Sequence, residues 1–226
     1  MTRIFEHKEN LLGYDDLEVI ESKEVGRRYV SPSSNKYPSI TTVLSILSED
    51  HIKKWRERVG EEEANKISYR ASTRGTAVHA IIEDYINNKL QPNRFMPNIL
   101  ANFKSVQPIL DERIGTVYAQ EAALYSDYLG VAGRVDCVAE FDGKLSIIDF
   151  KTSKKPKKPE WIENYFIQET FYAIAWEERT KLPITQLVTI IAVDNEPPQV
   201  FIEHRDNWDD KLLETIREYK RRNGIE

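Results

Sequence analysis

The stretch GRVDCVAEFDGKLSIIDFKT, Gly133 to Thr152, constrains this chain more than any other. Two alternating runs flank Asp142-Gly143, and Asp-Gly between such runs is a strong signal for a two-residue hairpin turn, because both central residues of that turn need a positive φ. With the turn there, Phe141 faces Lys144, Ala139 faces Ser146, and Asp136 faces Asp149. Like charges directly opposite on paired strands are destabilising. Two carboxylates about 4 Å apart repel by roughly 1 kcal/mol in water and by about 4 kcal/mol at an effective dielectric near 20. A chain with such a pair exposes it on a slipped edge hairpin, neutralises it with a shared proton, or holds a divalent cation, for which clustered oxygens are the natural hard ligands. Lys151 favours the cation. It lies two residues from Asp149 and so on the same strand face, and two carboxylates with an ammonium compose a site where a metal and a lysine can lower the pKa of a water and hold charge developing on a phosphate. The same register sets Arg134 opposite Lys151, a further like-charge pairing, so the strands are expected to splay or bulge beyond the Asp pair and open a cleft.

Around this hairpin the pattern predicts a mixed α/β fold. YPSITTVLSILSEDHIKKWRERVGEEEANKI reads as a turn, a Ser/Thr-capped helix and a long charged helical stretch, and STRGTAVHAIIEDYINNKL as the next helix, with Val78, Ile81, Ile82 and Tyr85 on one face. NILANFKSVQPILDERI follows as a helix, TVYAQEAALYS as a strand before the hairpin, and PEWIENYFIQETFYAIAWEERT as a helix with proline in its first turn. QLVTIIAVD and QVFIEHR form a second strand pair, and NWDDKLLETIREYKRR ends the order as a helix. The expected architecture is a central mixed sheet of about five strands flanked by helices, with an N-terminal helical extension. At 226 residues without a Gly/Ser- or Pro-rich linker, a single domain spanning 1–226 is expected, with a helical part near 37–112, a sheet core near 116–204 and a last helix near 207–222. One cysteine, Cys137, excludes an intramolecular disulfide and any multi-cysteine metal site within the chain, and its alternation from Asp136 marks it as packed and not nucleophilic. No apolar run reaches the ~18 residues of a membrane span, and the acidic start does not suit a secretory or transit signal, so a cytoplasmic protein of a bacterial or phage-infected cell is expected, with no membrane partner. A net charge of −5 means that any nucleic-acid binding must rest on local basic patches.

GRVD followed at hairpin distance by IIDFKT resembles the core of the PD-(D/E)XK nuclease superfamily, in particular its RecB-like branch. RGTAVHAIIE, Arg74 to Glu83, resembles the upstream helix that supplies a histidine to the metal in that branch, and QETFY, Gln168 to Tyr172, its downstream Q-x-x-x-Y helix. PSITTVL, Pro38 to Leu44, is similar to a segment near the start of the mitochondrial genome maintenance exonucleases and their phage relatives. The resemblance implies a restriction-endonuclease-like fold and hydrolysis of a DNA phosphodiester, preferentially in single strands with free ends, in replication, recombination or repair. It implies that Asp136, Asp149, His79 and the backbone carbonyl of Phe150 hold Mg²⁺ or Mn²⁺ and that Lys151 orients or activates the attacking water. Gln168 and Tyr172, four apart on one helix face, are then expected to position phosphate or Lys151, with Glu83 and Arg74 beside them. The iron-sulfur cluster of some members of the branch is excluded by the cysteine count, and the chain lacks a G-x-x-x-x-G-K-[ST] phosphate loop, so any helicase motor must be another chain.

Two basic stretches are expected to meet the substrate. KTSKKPKK sets Lys154, Lys155, Lys157 and Lys158 just past Lys151, and HIKKWRERVG combines Lys53, Lys54, Arg56 and Arg58 with Trp55, on which a base could stack. Arg74 is expected at a helix start, where phosphate is favoured. A replication or recombination protein acting in trans is a further expected partner. Two other readings stay open from the sequence: a restriction-type or structure-specific endonuclease with the same metal chemistry, and a catalytically silent DNA- or protein-binding module. Against the second stands the repulsive carboxylate pair, for which a binding role has no need.

Overall fold

The Asp-Gly signal is realised: Asp142 (φ 53°) and Gly143 (φ 75°) both lie in the left-handed region that a two-residue hairpin turn demands. The computed structural model describes residues 3–22 and 26–225. Its elements in order are strands β1 (Glu18–Ser22), β2 (Gly26–Val30) and β3 (Lys36–Pro38), then helices α1 (Ile40–Leu44), α2 (Glu49–Val59), α3 (Glu61–Ile86) and α4 (Pro97–Arg113). Next come strands β4 (Ile114–Ser126), β5 (Val131–Phe141) and β6 (Lys144–Ser153), helix α5 (Glu163–Thr180), strands β7 (Gln186–Val193) and β8 (Gln199–His204), and helix α6 (Asp209–Arg222).

The main sheet runs β4-β5-β6-β7-β8. Its β6–β7 pair is parallel and the others are antiparallel, as a mixed sheet requires when a helix, here α5, carries the chain from β6 back to β7. Both faces are covered. Val78, Ile81, Ile82 and Tyr85 of α3 and Phe103, Val106 and Leu110 of α4 pack with Cys137, Ile148, Phe150 and Val188 on one side. On the other, Phe171 and Trp176 of α5 and Leu212 and Ile216 of α6 join Ile40 and Val43 of α1 against Val138, Ile147 and Leu187. Ser39 caps α1, its side chain accepting from the Thr42 N–H, as the Ser/Thr-rich stretch leads one to expect.

Two readings of the sequence are corrected. The histidine-bearing helix does not begin near Arg74: α3 is one 26-residue helix starting at Glu61, set off from α2 by Gly60 at φ 85°. Arg74 therefore sits in mid-helix, without the free N–H groups of a helix start, and its guanidinium is bound to Asp194. Pro159 opens a separate 3-10 turn, Pro159–Trp161, and α5 starts only at Glu163. Ahead of the helical part, β1, β2 and β3 form a small antiparallel sheet, and Ser39 just beyond it bridges to Ala132 of β5. Among the described residues no helix is long and apolar enough to cross a membrane.

Candidate active site

The β5–β6 ladder has the register read from the turn, from Phe141↔Lys144 to Cys137↔Ile148, and there it stops. Beyond that point β5 continues alongside β4, and β6 alongside β7. The strands thus part at the residues where two carboxylates would have met, and the expected splay is found. Asp136 and Asp149 lie on the two prongs of this fork.

Asp136 repairs the broken ladder from one side, since its Oδ2 accepts the Phe150 N–H at 2.9 Å. The Nδ1 of His79, carried in by α3, lies 3.4 Å from the same oxygen. Asp149 is only 2% exposed, and its partner is Lys151: the ammonium touches Oδ2, while Oδ1 is buried without a hydrogen-bond partner. The Lys151 Nζ also stands 5.1 Å from the centre of the Tyr165 ring on α5, a favourable place for a cation. Arg134, which the register set opposite Lys151, instead binds the Glu121 carbonyl and Asp16, so the second like-charge pairing is relieved by the same splay.

A residue that the hairpin alone did not reveal completes the cluster. The pairs Gln120↔Cys137 and Ala122↔Val135 place Glu121 of β4 opposite Asp136, with Glu121 itself at φ 46°. His79, Glu121 and Asp136 each present one ligand atom within 4.8 Å of the other two. Glu121 could have been found by extending the register argument to the β4–β5 connection at Asp127–Gly130. The obstacle is that this turn carries no Asp-Gly signal and β4 is irregular near Val117. Glu169 was also missed. It is fully buried on α5, and Thr189 of β7, the neighbour of Asp149 in the parallel ladder, donates its hydroxyl to it.

The electrostatics are those of too many carboxylates in one dry place. Burial pushes Asp149 up to about 6, with Lys151 pulling against the rise and Asp136 adding to it. Burial, then Asp136 and Glu83, push Glu121 up to about 7. Glu169 is raised well above the usual carboxylate range by burial and by Asp149. For Lys151, burial alone would lower the ammonium, but Asp149 and then Asp136 reverse that and hold it above its ordinary value. So held, the ammonium lends hydrogen bonds and positive charge to the fork. The donor set of imidazole and carboxylates, with raised acid pKa values and an orphaned Asp149 oxygen, fits a divalent cation, which would relieve each of these penalties. Cys137 is fully buried, and burial pushes its thiol up, in keeping with a packing role.

The other sequence-derived residues divide. Glu83, one turn beyond His79, is near enough to raise Glu121. Gln168 donates to the Tyr172 hydroxyl at 3.1 Å, but Tyr172 is buried, and a Cβ on Gly133 would come within 2.9 Å of its ring. The phenol braces Gln168 and packs against the start of β5. Lys154, Lys155 and Lys158 are exposed beyond β6, Lys157 half-buried; Ser153 and Gln199 pin the loop backbone through Lys155 and Lys157, and Lys158 lies 5.3 Å from the Trp161 ring. The α2 stretch is not brought to the fork. Lys53 and Arg56 line a separate cavity with Glu49, Glu57 and Glu61, and Arg56 pairs with Glu61 at 3.2 Å; Lys54 is exposed and Trp55 half-buried on the same helix.

A mixed sheet covered by helices, with an acidic fork and a lysine between two of its strands, is the architecture of a nuclease class, and residues 98–223 match the PD-(D/E)XK nuclease superfamily. The chain belongs to that family. It is 33% identical over 147 residues to mitochondrial genome maintenance exonuclease 1 of Homo sapiens, covering 61% of this chain and 40% of that protein. Against the Mus musculus protein of the same name it is 32% identical over 133 residues, 54% of this chain and 39% of that one. The chain thus spans about two fifths of the length of these relatives. A Eubacterium rectale crystal structure provisionally designated an exonuclease aligns with a TM-score of 0.46 and 17% identity, over 66% of this chain and 65% of that one.

Proposed function

We propose that this chain is a Mg²⁺- or Mn²⁺-dependent DNA exonuclease that hydrolyses phosphodiester bonds, prefers single strands with free ends, and serves DNA replication, recombination or repair. The observation that carries the reading is the fork, where His79, Glu121 and Asp136 converge beside the buried Asp149–Lys151 pair. Its family membership supports nuclease chemistry, and the names of its relatives support the exonuclease mode.

In this reading His79, Asp136, Asp149 and Glu121 hold the cation, with the Phe150 carbonyl as a further ligand. Such an ion supplies Lewis-acid polarisation of a phosphoryl oxygen when bound. Lys151 orients or activates the attacking water and lends positive charge where negative charge develops. Asp136 holds the Phe150 amide and so fixes the β6 backbone on which Asp149 and Lys151 stand. Gln168, braced by Tyr172, orients groups at the fork from the α5 side. Lys154 and the lysines beyond it attract the substrate backbone.

The test is end-labelled linear single-stranded DNA, the same strand circularised, and duplex, each incubated with protein and Mg²⁺ or Mn²⁺. Degradation of the linear strand alone, lost in Lys151→Ala, is the expected result. Cutting of the circle makes the protein an endonuclease, and inertness on all three, indistinguishable from Lys151→Ala, makes it a silent binding module.

A further inference from the structure

A cleft of about 470 Å³ opens between the first half of α3, the loop into α4 and the loop that leaves β6. In a chain with a net charge of −5, Arg70, Arg74, Arg94 and Lys154 line it and no Asp or Glu does. Arg74 is neutralised by Asp194, and Arg94 approaches Asp84 only at 3.9 Å, so Arg70, Arg94 and Lys154 keep charge free for a ligand. The contrast with the larger cavity of about 900 Å³ beside α2 is informative, because there Arg28, Lys53, Arg56 and Arg222 are balanced by Glu49, Glu57 and Glu61.

The apolar part of the cleft is equally unusual. Tyr69 is 74% exposed and Met96 70% exposed, with Phe95 half-buried beside them. Folding gains nothing from large apolar side chains held in water, whereas cations interleaved with an aromatic surface are what a nucleic-acid strand with unpaired bases requires. The volume is that of a small-molecule pocket, and a base stacks on a tyrosine ring only once it has left its own stack. The cleft also lies along the approach to the fork. Tyr69 precedes His79 by ten residues of the same helix, about 15 Å of rise, and Lys154 follows Lys151 by three residues, at most about 10 Å of chain.

We propose that this cleft seats the unpaired nucleotides next to the scissile phosphate, with Tyr69 and Met96 as the base platform and Arg70, Arg94 and Lys154 on the phosphates. The inference rests on the nuclease reading for the direction of the strand, but it is tested separately from it. The ligand is single-stranded DNA, and charge complementarity with apolar exposure in one cleft selects it.

The experiment measures binding of a labelled oligothymidylate of about twelve nucleotides, within the 4–16 that single-strand sites commonly span, by fluorescence anisotropy in EDTA across a salt series. Turnover of bis(p-nitrophenyl) phosphate with Mn²⁺, a small diester that needs only the fork, is measured in parallel. Tyr69→Ala is expected to weaken oligonucleotide binding about tenfold. The double variant Arg70→Gln/Arg94→Gln is expected to flatten the log–log salt slope by about 1.4, from ~0.7 per phosphate contact. Both should turn over the small diester at the wild-type rate. Wild-type oligonucleotide affinity and salt slope in these variants would overturn the proposal, as would an equal loss for a duplex of the same length. If the wild type degrades no DNA and is inert on the small diester while Tyr69→Ala still loses oligonucleotide binding, the nuclease reading fails and the cleft stands.

Discussion

Glu121 shows how one side chain can change a site. It faces Asp136 across β4 and β5, and burial together with that neighbour pushes its carboxyl up to about 7. Removing its charge should therefore cost metal affinity. Glu121→Gln is expected to weaken Mn²⁺ binding at least about tenfold, the scale on which even outer partners of a metal site act, as read by calorimetric titration at fixed pH. Asp142 offers the opposite electrostatic case, a carboxylate that gains from its partner. Arg113 binds it from the end of α4 and holds its pKa below the usual value. Its contribution is fully present above the unfolded-state pKa and disappears as pH falls through the lowered folded pKa. Because the pair is half in solvent, Asp142→Asn should cost only about 0.5 kcal/mol at neutral pH. The difference from wild type should vanish in strongly acidic solution, as followed by urea denaturation, and Asn keeps the left-handed turn that Asp142 occupies.

Among the elements, the start of β5 is closely packed between α1 and α5. A methyl group on Gly133 would come within 2.9 Å of both Ile40 of α1 and the Tyr172 ring of α5. Neither neighbour can retreat easily, since both are buried in the same core cluster. Gly133→Ala is expected to destabilise the fold by about 1–3 kcal/mol through overpacking, measured as a shift in the denaturation midpoint at unchanged slope. It should also disturb cleavage, because Tyr172 braces Gln168 and β5 carries Asp136. Helix α5 thus braces the site: it buries Tyr172 and Glu169, faces Tyr165 toward Lys151, and is tied to β7 by the Thr189 hydroxyl donated to Glu169.

Across the whole molecule, the fork is a strain that the rest of the fold sustains. Three layers of helix, sheet and helix hold several carboxylates together against their mutual repulsion, and a cation bound only by the folded state should add to stability by mass action. At a Mn²⁺ concentration about a hundred times its Kd this amounts to about 2.7 kcal/mol. For a chain of this size that corresponds to a rise of roughly 5–10 °C in thermal midpoint, at about 2–4 °C per kcal/mol, and EDTA should reverse it. A midpoint that ignores Mn²⁺, while Ca²⁺ and Mg²⁺ are equally without effect, would remove the fork as a metal site.

What the sequence determined by itself was local and periodic. Asp142-Gly143 set the turn and the turn set the register as far as Cys137 and Ile148, so that Asp136 and Asp149 stand at the mouth of the fork with Lys151 two residues along β6. The five strands and the helical faces of α3 and α5 were legible for the same reason, since burial on one side of a regular element writes its period into the chain. Tertiary structure decided the contacts between elements far apart in sequence. It set Glu121 against Asp136, buried Tyr172 beneath β5, placed Arg74 in mid-helix with Asp194, and gathered Tyr69, Met96 and Lys154 around one cleft. Such contacts depend on how whole elements pack, and no spacing within a single element records which face of one will meet which face of another.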